Sequence, residues 1–241
     1  MKKIIFAAAL LFGLCGAAFA SYEDAIKLYE AGQYRESLKA VADILDISRD
    51  LEEGAPNYKL RFLAAHNHWK LGNEESAYTH FTRCMDMKNK SVDPYIDLSL
   101  MYLDLRKVAD ADRWARRGLQ REKHGMLYFV LGEVSLRQGN GWRAKEMFET
   151  ANSMMPDNFA SYNGLGMALM RLGKFGEANT AFSVALALSP KSSQVLNNLG
   201  FSLEKLGKVS EAVEYYKQAQ TLDGENKVIA ANLERAQALI K

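Results

Sequence analysis

The chain has little cysteine, little proline and almost no net charge. Its 241 residues include 2 cysteines and 4 prolines, while 48% are hydrophobic and 25% are charged. Few prolines favour long helical stretches, and this composition excludes collagen, wholesale disorder and a membrane protein with several spans. The net charge of +2 argues against a nucleic-acid or anionic-membrane binder, because both need a clear excess of positive charge.

Residues 1–20 have the layout of a secretory signal peptide. Two lysines follow the first methionine, an uncharged apolar run comes next, and Ala18–Ala20 supplies a small-residue cleavage box before a charged segment. The run is short for a membrane anchor, which needs about 20 apolar residues. A lipoprotein signal needs a small residue before its cysteine, but Leu14 precedes Cys15. We therefore predict cleavage after Ala20, with an anchor or lipidation at Cys15 as the alternatives.

Removal of this leader changes the charge and the cysteine content. With its two lysines gone, 29 cations face 29 carboxylates, so the mature chain is neutral. Cys84 is then its one cysteine, which excludes an intrachain disulfide. A short leader that starts with two lysines looks bacterial, and we expect a periplasmic or secreted protein of a Gram-negative type of bacterium.

A motif of leucine, glycine, alanine and aromatic residues recurs at a constant interval in the second half of the chain. Leu-Gly pairs begin at Leu131, Leu165 and Leu199, and we call their common spacing the repeat length. Another glycine and an alanine follow each pair at fixed spacings. A large aromatic side chain stands four positions beyond each alanine: Phe148, Phe182 and Tyr216. Spacings of three and four place each set on one helix face, so the motif predicts pairs of packed helices.

The motif resembles the tetratricopeptide repeat, which combines a 34-residue period with Leu-Gly and Ala-x3-aromatic positions. The resemblance covers about residues 22–241. It implies an all-α fold, a right-handed α-solenoid of about six helix pairs plus a C-terminal capping helix. It also implies that a protein or peptide segment binds in the concave groove lined by the first helix of each pair.

The strength of the repeat divides the chain into segments. Residues 21–92 are degenerate N-terminal repeats with an inserted loop near 47–57, where the spacing between repeats exceeds the repeat length. Residues 93–224 contain repeats three to six, and residues 225–241 form the capping helix. A terminal helix of this kind covers the open end of a repeat stack.

The resemblance assigns partner binding to the exposed side of the first helices. In the fourth to sixth repeats it selects nine residues: Phe129, Arg137, Asn163, Met167, Met170, Arg171, Asn198, Phe201 and Lys205. Its three cations are separated by one repeat length each, which predicts a positive row beside an apolar floor that suits an acidic or amphipathic segment. Two alternatives stay open: the cations stabilise helix C-terminal ends, and the apolar side chains pack against the adjacent repeat.

Two known ways of holding a peptide were compared with these positions. The Lys and Asn set with which some tetratricopeptide domains clamp a C-terminal carboxylate is not present, since Phe129 and Glu133 stand in its places in the fourth repeat. Asn198 and Asn232, one repeat length apart, resemble a short piece of the asparagine ladder that grips peptide backbones in longer members.

Enzymatic chemistry finds little support in the sequence. No nucleotide-binding glycine loop, nucleophile elbow or matched pair of carboxylates is present. His80 and Cys84 have a helical spacing that metals use, but Cys84 stands where other repeats have alanine, so packing explains it better. We expect no enzyme activity, no cofactor and no metal.

Together these observations favour a non-enzymatic scaffold or assembly factor of a bacterial cell-envelope complex. Its partner would be an envelope protein or peptide and not a nucleic acid, and it would reach the membrane only through that partner. The alternative is a soluble periplasmic protein that binds a peptide or small ligand and passes it to a membrane transporter.

Overall fold

The computed structural model describes residues 21–47, 55–87 and 91–240, which form an all-α solenoid. Within them thirteen helices alternate with short turns, as six pairs and a final single helix. The pairs are α1 (Tyr22–Glu30) with α2 (Tyr34–Ile47), α3 (Ala55–Lys70) with α4 (Glu74–Asp86), α5 (Asp93–Asp104) with α6 (Val108–Arg121), α7 (Gly125–Arg137) with α8 (Gly141–Met154), α9 (Phe159–Arg171) with α10 (Phe175–Leu188), and α11 (Ser193–Lys205) with α12 (Val209–Leu222). The single helix is α13 (Lys227–Ala238). No helix in the described ranges is both long and apolar enough to cross a bilayer.

Two predictions made from the sequence concern residues that the structure does not describe or describes only in part. The predicted signal peptide, residues 1–20 with Cys15, lies outside the described residues. Of the loop predicted near 47–57, residue 47 belongs to α2 and residues 55–57 belong to α3, while residues 48–54 lie outside the described residues. Pro56 falls in the first turn of α3, where backbone N–H groups have no intrahelical acceptor, so proline is tolerated there.

The chain divides into two compact units between Pro94 and Tyr95. Unit 1 contains α1 to α4 and has its own small core of alanine, valine and leucine side chains. A buried polar chain links three of its helices: Asn67 Nδ2 donates to Ser37 Oγ at 2.9 Å, and Ser37 Oγ donates to the carbonyl oxygen of Ala25 at 2.7 Å. These bonds satisfy the Asn67 amide nitrogen and the Ser37 hydroxyl, which would otherwise destabilise the core.

Each of the six pairs reverses direction through a residue with left-handed backbone. Five of these residues are glycines with φ between +74° and +80°: Gly32, Gly72, Gly139, Gly173 and Gly207. In the fourth pair, the Gly139 N–H donates to the carbonyl of Leu136 at 3.0 Å and the next N–H donates to that of Ser135 at 2.9 Å. These bonds close the first helix, as expected for a glycine C-terminal cap. The third pair has Arg106 at this position, with φ of 58°.

The core of unit 2 depends on aromatic rings that pack directly on glycines. Phe148 and Phe182 come from second helices and are buried. A Cβ atom added at Gly132 would lie 2.7 Å from the Phe148 ring, and one added at Gly166 would lie 2.4 Å from the Phe182 ring. The glycine of each Leu-Gly pair is therefore required by the close approach of a ring, as the sequence motif indicates.

Helix α13 covers the C-terminal end of unit 2. Its buried side chains are apolar: Ile229, Leu233 and Ala236. Glu234 and Gln237 are exposed, and they stand one repeat length after Gly200 and Leu203, which are both buried in α11. Polar residues thus stand at the two positions where the preceding first helix packs against a second helix. They make this part of the outer surface of α13 polar.

Candidate functional site

The candidate site lies on the exposed side of α7, α9, α11 and α13, which we call the first-helix face. One column of this face contains a residue from each helix, with successive members one repeat length apart: Glu133, Met167, Phe201 and Arg235. Met167 is 38% exposed. The column therefore changes along the stack from a carboxylate through a thioether and a phenyl ring to a guanidinium group.

Glu133 is the acidic residue of this column. Burial raises the pKa of its carboxyl group, and the positive charge of Arg137 opposes that rise only in part. A carboxylate held in a partly dehydrated position gains from a further hydrogen-bond donor or cation. A donor brought by a bound partner would meet this need.

The first two cations of the predicted row contact the preceding repeat. Arg137 donates a hydrogen bond from Nη1 to the carbonyl oxygen of Leu103, in the last turn of α5. Arg171 lies against the turn before α8, since a Cβ atom at Gly139 would be 3.6 Å from its Nη1 atom. These contacts favour the alternative that the cations stabilise helix C-terminal ends. Their role in partner binding stays a prediction.

Two cations flank the ring of Phe201. The Lys205 ammonium lies 5.1 Å and the Arg235 guanidinium 5.7 Å from the ring centroid. Arg235 also pairs with Glu204 through Nε at 3.1 Å and Nη2 at 2.9 Å, and the Tyr216 hydroxyl donates to Glu204 at 3.1 Å. Burial disfavours the Glu204 carboxylate, but these hydrogen bonds outweigh burial, so its pKa lies below the usual value. Arg235 is not among the residues predicted from the sequence, although its position one repeat length after Phe201 was a usable signal.

Most of the predicted apolar floor is shared with the core. Phe129 packs edge-on against Phe148, with ring centroids 5.9 Å apart. Met170 is partly buried and packs, with Phe201, against the core cluster of the last repeats. Met167 is the predicted floor residue with the largest exposed fraction, so the structure leaves it as the main apolar contact that a partner can reach.

Asparagine side chains connect successive first helices. Asn198 Nδ2 donates to Asn163 Oδ1 at 2.9 Å, and Asn232 Nδ2 donates to Asn197 Oδ1 at 2.8 Å. Asn198 and Asn232, which the sequence aligned in one ladder, each pair with an asparagine of the preceding first helix, in α9 and α11 respectively. Among the described residues, the Nδ2 group of Asn197 and the Oδ1 atom of Asn198 make no hydrogen bond, so one donor and one acceptor stand side by side on α11.

A cavity of about 420 Å³ adjoins these two asparagines, between the N-terminal ends of α11 and α13. It is lined by Ser193, Gln194, Asn197, Asn198, Asp223, Asn226, Val228 and Ile229. Asn226 Nδ2 donates to the Asp223 carboxylate at 2.9 Å, so the lining combines amide and hydroxyl groups with one carboxylate. Of the nine predicted residues only Asn198 lines the cavity. Most of the other residues that line the cavity were not predicted, because the repeat columns mark packing positions. These lining residues belong instead to the first turns of helices and to the turn before α13.

Unit 1 contains the histidine and cysteine considered as metal ligands. Cys84 is fully buried, and its Sγ atom lies 3.8 Å from the carbonyl oxygen of Tyr58. Burial raises the pKa of Cys84 to about 12 and lowers the pKa of His80 to about 4, so both side chains are neutral. No group of three or more metal-binding side chains occurs in the described part of the chain. The geometry agrees with a packing role for Cys84.

Comparison with known proteins gives the same family as the motif. Residues 163–227 match the tetratricopeptide repeat family. The BBSome complex member BBS4 of Mus musculus is 26% identical over 155 residues, which cover 64% of this chain and 28% of that protein. The present chain therefore corresponds to less than a third of the length of this relative.

Solved structures share the fold at low sequence identity. A chain of the APC/C hetero-tetramer Cut9–Hcn1 has a TM-score of 0.77 and 15% identity, with 97% of this chain and 46% of that chain covered. YrrB, a tetratricopeptide-repeat protein described as having an unusual peptide-binding site, has a TM-score of 0.58 and 16% identity, with 79% and 96% covered.

Fold and repeats together define the class: the chain is an all-α repeat protein, and its residues 163–227 match the tetratricopeptide repeat. Repeat proteins of this kind present extended surfaces on which other proteins or peptides bind. The fold does not by itself identify the partner, which has to be argued from particular side chains.

Proposed function

We propose that this protein is a non-enzymatic scaffold or assembly factor of a bacterial cell-envelope complex that binds a peptide segment on the first-helix face of unit 2. One observation carries the proposal. The exposed thioether of Met167 lies beside the paired amides of α9 and α11, with the Asn163 Nδ2 atom 3.9 Å from its sulfur.

These groups complement an extended peptide segment. The donor of Asn197 and the acceptor of Asn198 match the C=O and N–H groups of a peptide backbone. Both amides are already held by hydrogen bonds to neighbouring helices, so little side-chain freedom is lost when the segment binds. Met167 supplies a flexible apolar surface for a side chain of the segment.

The location is the first part of the proposal to test. The layout of residues 1–20 supports export, so N-terminal sequencing of the native protein should start at Ser21. Recovery of an intact Met1 would contradict export. A lipidated Cys15 in the detergent fraction would contradict cleavage after Ala20 and support the lipoprotein alternative.

Binding is tested with two variants of equal design. The partner is captured from an envelope extract, identified by mass spectrometry and titrated as a purified protein. Met167→Glu should weaken binding about tenfold or more, because it places a charge at a buried apolar contact. Val184→Glu, on the second helix of the same pair and 37% exposed, should bind as the wild type does.

The opposite pattern of binding would assign the partner site to a different surface. If Val184→Glu weakened binding and Met167→Glu did not, the partner would bind the second helices, and the proposed site would be wrong.

The cavity beside Asn198 favours the alternative function, capture of a peptide or small ligand for a membrane transporter. A lone transporter subunit in the extract would support that alternative, and several structural envelope proteins would support the scaffold.

A further inference from the structure

The two edges of unit 2 carry different charge. We call the turns within its helix pairs, together with the adjoining helix ends, the basic edge: residues 104–110, 137–143, 171–177 and 205–211. These turns contain eight lysine and arginine residues and four carboxylates, whereas equal lengths of chain at the opposite edge, residues 121–127, 154–160, 188–194 and 222–228, contain four of each. The neutral mature chain therefore has an excess of positive charge at one edge.

Lysine occupies an unfavourable helix position at the basic edge. Three second helices of unit 2 have an N-cap lysine without a side-chain cap bond: Lys107, Lys174 and Lys208. The first helices, which start at the opposite edge, have N-cap side chains that accept a first-turn N–H: His124, Asn158, Ser192 and Asn226. An ammonium group near a helix N-terminus opposes the helix dipole. The same unfavourable N-cap residue therefore occurs at one repeat position in three helices. This recurrence indicates that the lysines serve a function other than helix stability.

The ion pairs of these lysines do not remove the excess charge. Lys174 pairs with Glu177 at 2.9 Å, and Lys208 pairs with Glu211 at 3.3 Å. Both glutamates belong to the four carboxylates already counted, and exposed pairs of this kind are weak in water. The ammonium groups can therefore exchange these partners for an external anion.

Large apolar side chains protrude from the same edge. Leu105 is 39%, Trp142 65% and Leu206 42% exposed. The Lys174 ammonium lies 5.7 Å from the centroid of the Trp142 ring. An exposed indole ring beside lysines combines an apolar body with polar and charged groups, which is the arrangement that partitions to the headgroup level of a bilayer.

We propose that the basic edge of unit 2 binds an anionic lipid surface, with its lysines at the phosphate headgroups and Trp142 between them. The cavity that suits a peptide adjoins residues 193, 194, 223, 226 and 228, at the opposite edge. The inference goes beyond the proposed function, and it replaces the expectation from net charge that the membrane is reached only through a partner.

Vesicle flotation tests this inference. The full chain, expressed from its natural start and purified after any processing, is mixed with phosphatidylcholine vesicles with and without one third phosphatidylglycerol. We expect flotation with the anionic vesicles and little with the neutral ones. Binding should fall as salt is raised, because the Debye length shrinks from about 10 Å at 0.1 M to about 3 Å at 1 M salt.

Two triple variants separate the edge from net charge. Lys107→Gln, Lys174→Gln and Lys208→Gln together should lower the vesicle partition coefficient about tenfold or more, because each lysine near an anionic surface adds to binding. The matched control, Lys123→Gln, Lys191→Gln and Lys227→Gln, removes the same charge from the opposite edge and should stay within about twofold of the wild type.

Trp142→Ala should lower the vesicle partition coefficient about threefold even at high salt, since the contribution of the indole ring is apolar. Circular dichroism checks that all variants stay folded.

Three results would overturn the inference: no flotation of the wild type, equal flotation with neutral and anionic vesicles, or an equal loss in the two triple variants. An immobilised polyglutamate peptide provides the competing outcome. If it retains the wild type but not the edge variant, and vesicles retain neither, the basic edge binds an acidic protein and the lipid assignment is wrong.

Discussion

Phe148→Ala is expected to lower the free energy of unfolding of unit 2 by about 3–5 kcal/mol, the range for removing a fully buried phenyl ring. The ring is buried between three helices, because Cβ atoms at Gly132 in α7 and Gly164 in α9 would lie 2.7 Å and 2.4 Å from it. Its loss leaves a cavity that neither neighbouring glycine can fill. Chemical denaturation followed by circular dichroism measures the effect.

A graded control accompanies this variant. Phe148→Leu keeps most of the buried volume and should destabilise the unit less than Phe148→Ala. If both variants denatured at the wild-type midpoint, the ring would not be packed between the helices as described.

Gly166→Val should cost about 1–3 kcal/mol through overpacking. A Cβ atom at this position would lie 2.4 Å from the Phe182 ring, which is itself buried and cannot swing into solvent. Gly176→Val is the matched control, because a Cβ atom at Gly176 meets nothing within 4 Å, and it should change stability by no more than about 0.5 kcal/mol. Adding Phe182→Leu to Gly166→Val should restore part of the loss, since the two sites are in contact. Equal midpoints for the two valine variants would refute the repeat register.

The sequence predicted the helices well because each repeat column corresponds to a packing contact. Gly166 and Phe182 are one example, since their columns could be recognised without coordinates and their contact follows from the spacing. The turn of the third pair was harder to predict, because Arg106 stands where the other pairs have glycine. This turn has the same two hydrogen bonds as the glycine turns, from Arg106 to Leu103 at 3.0 Å and from Lys107 to Tyr102 at 2.8 Å. These bonds offset the roughly 1–2 kcal/mol that a left-handed backbone costs a residue other than glycine.

The candidate site was harder to predict because its bonds run diagonally between columns. Asn198 bonds to Asn163 and Asn232 bonds to Asn197, in both cases one position further back than the repeat length. A periodic pattern compares residues within a column, so it cannot reveal which amide atoms a neighbouring column already uses. The same limit applies to Arg137, whose bond to a backbone carbonyl of the preceding repeat leaves no mark in the side-chain sequence.

The contacts of Phe148 show that the unit repeated in the sequence is not the same as the unit that packs in the structure. The sequence repeats a helix pair, but the ring of one pair lies against glycines of two pairs, Gly132 in its own and Gly164 in the next. The glycine of its own pair recurs in the next repeats, but one repeat length before and after Gly164 stand Val130 and Asn198. Gain or loss of a whole repeat by unequal recombination would therefore place the junction ring against a side chain instead of the bare backbone that Gly164 offers Phe148. A change in the length of this array thus requires a compensating substitution at the junction, and this position limits where repeats can be added or lost during evolution.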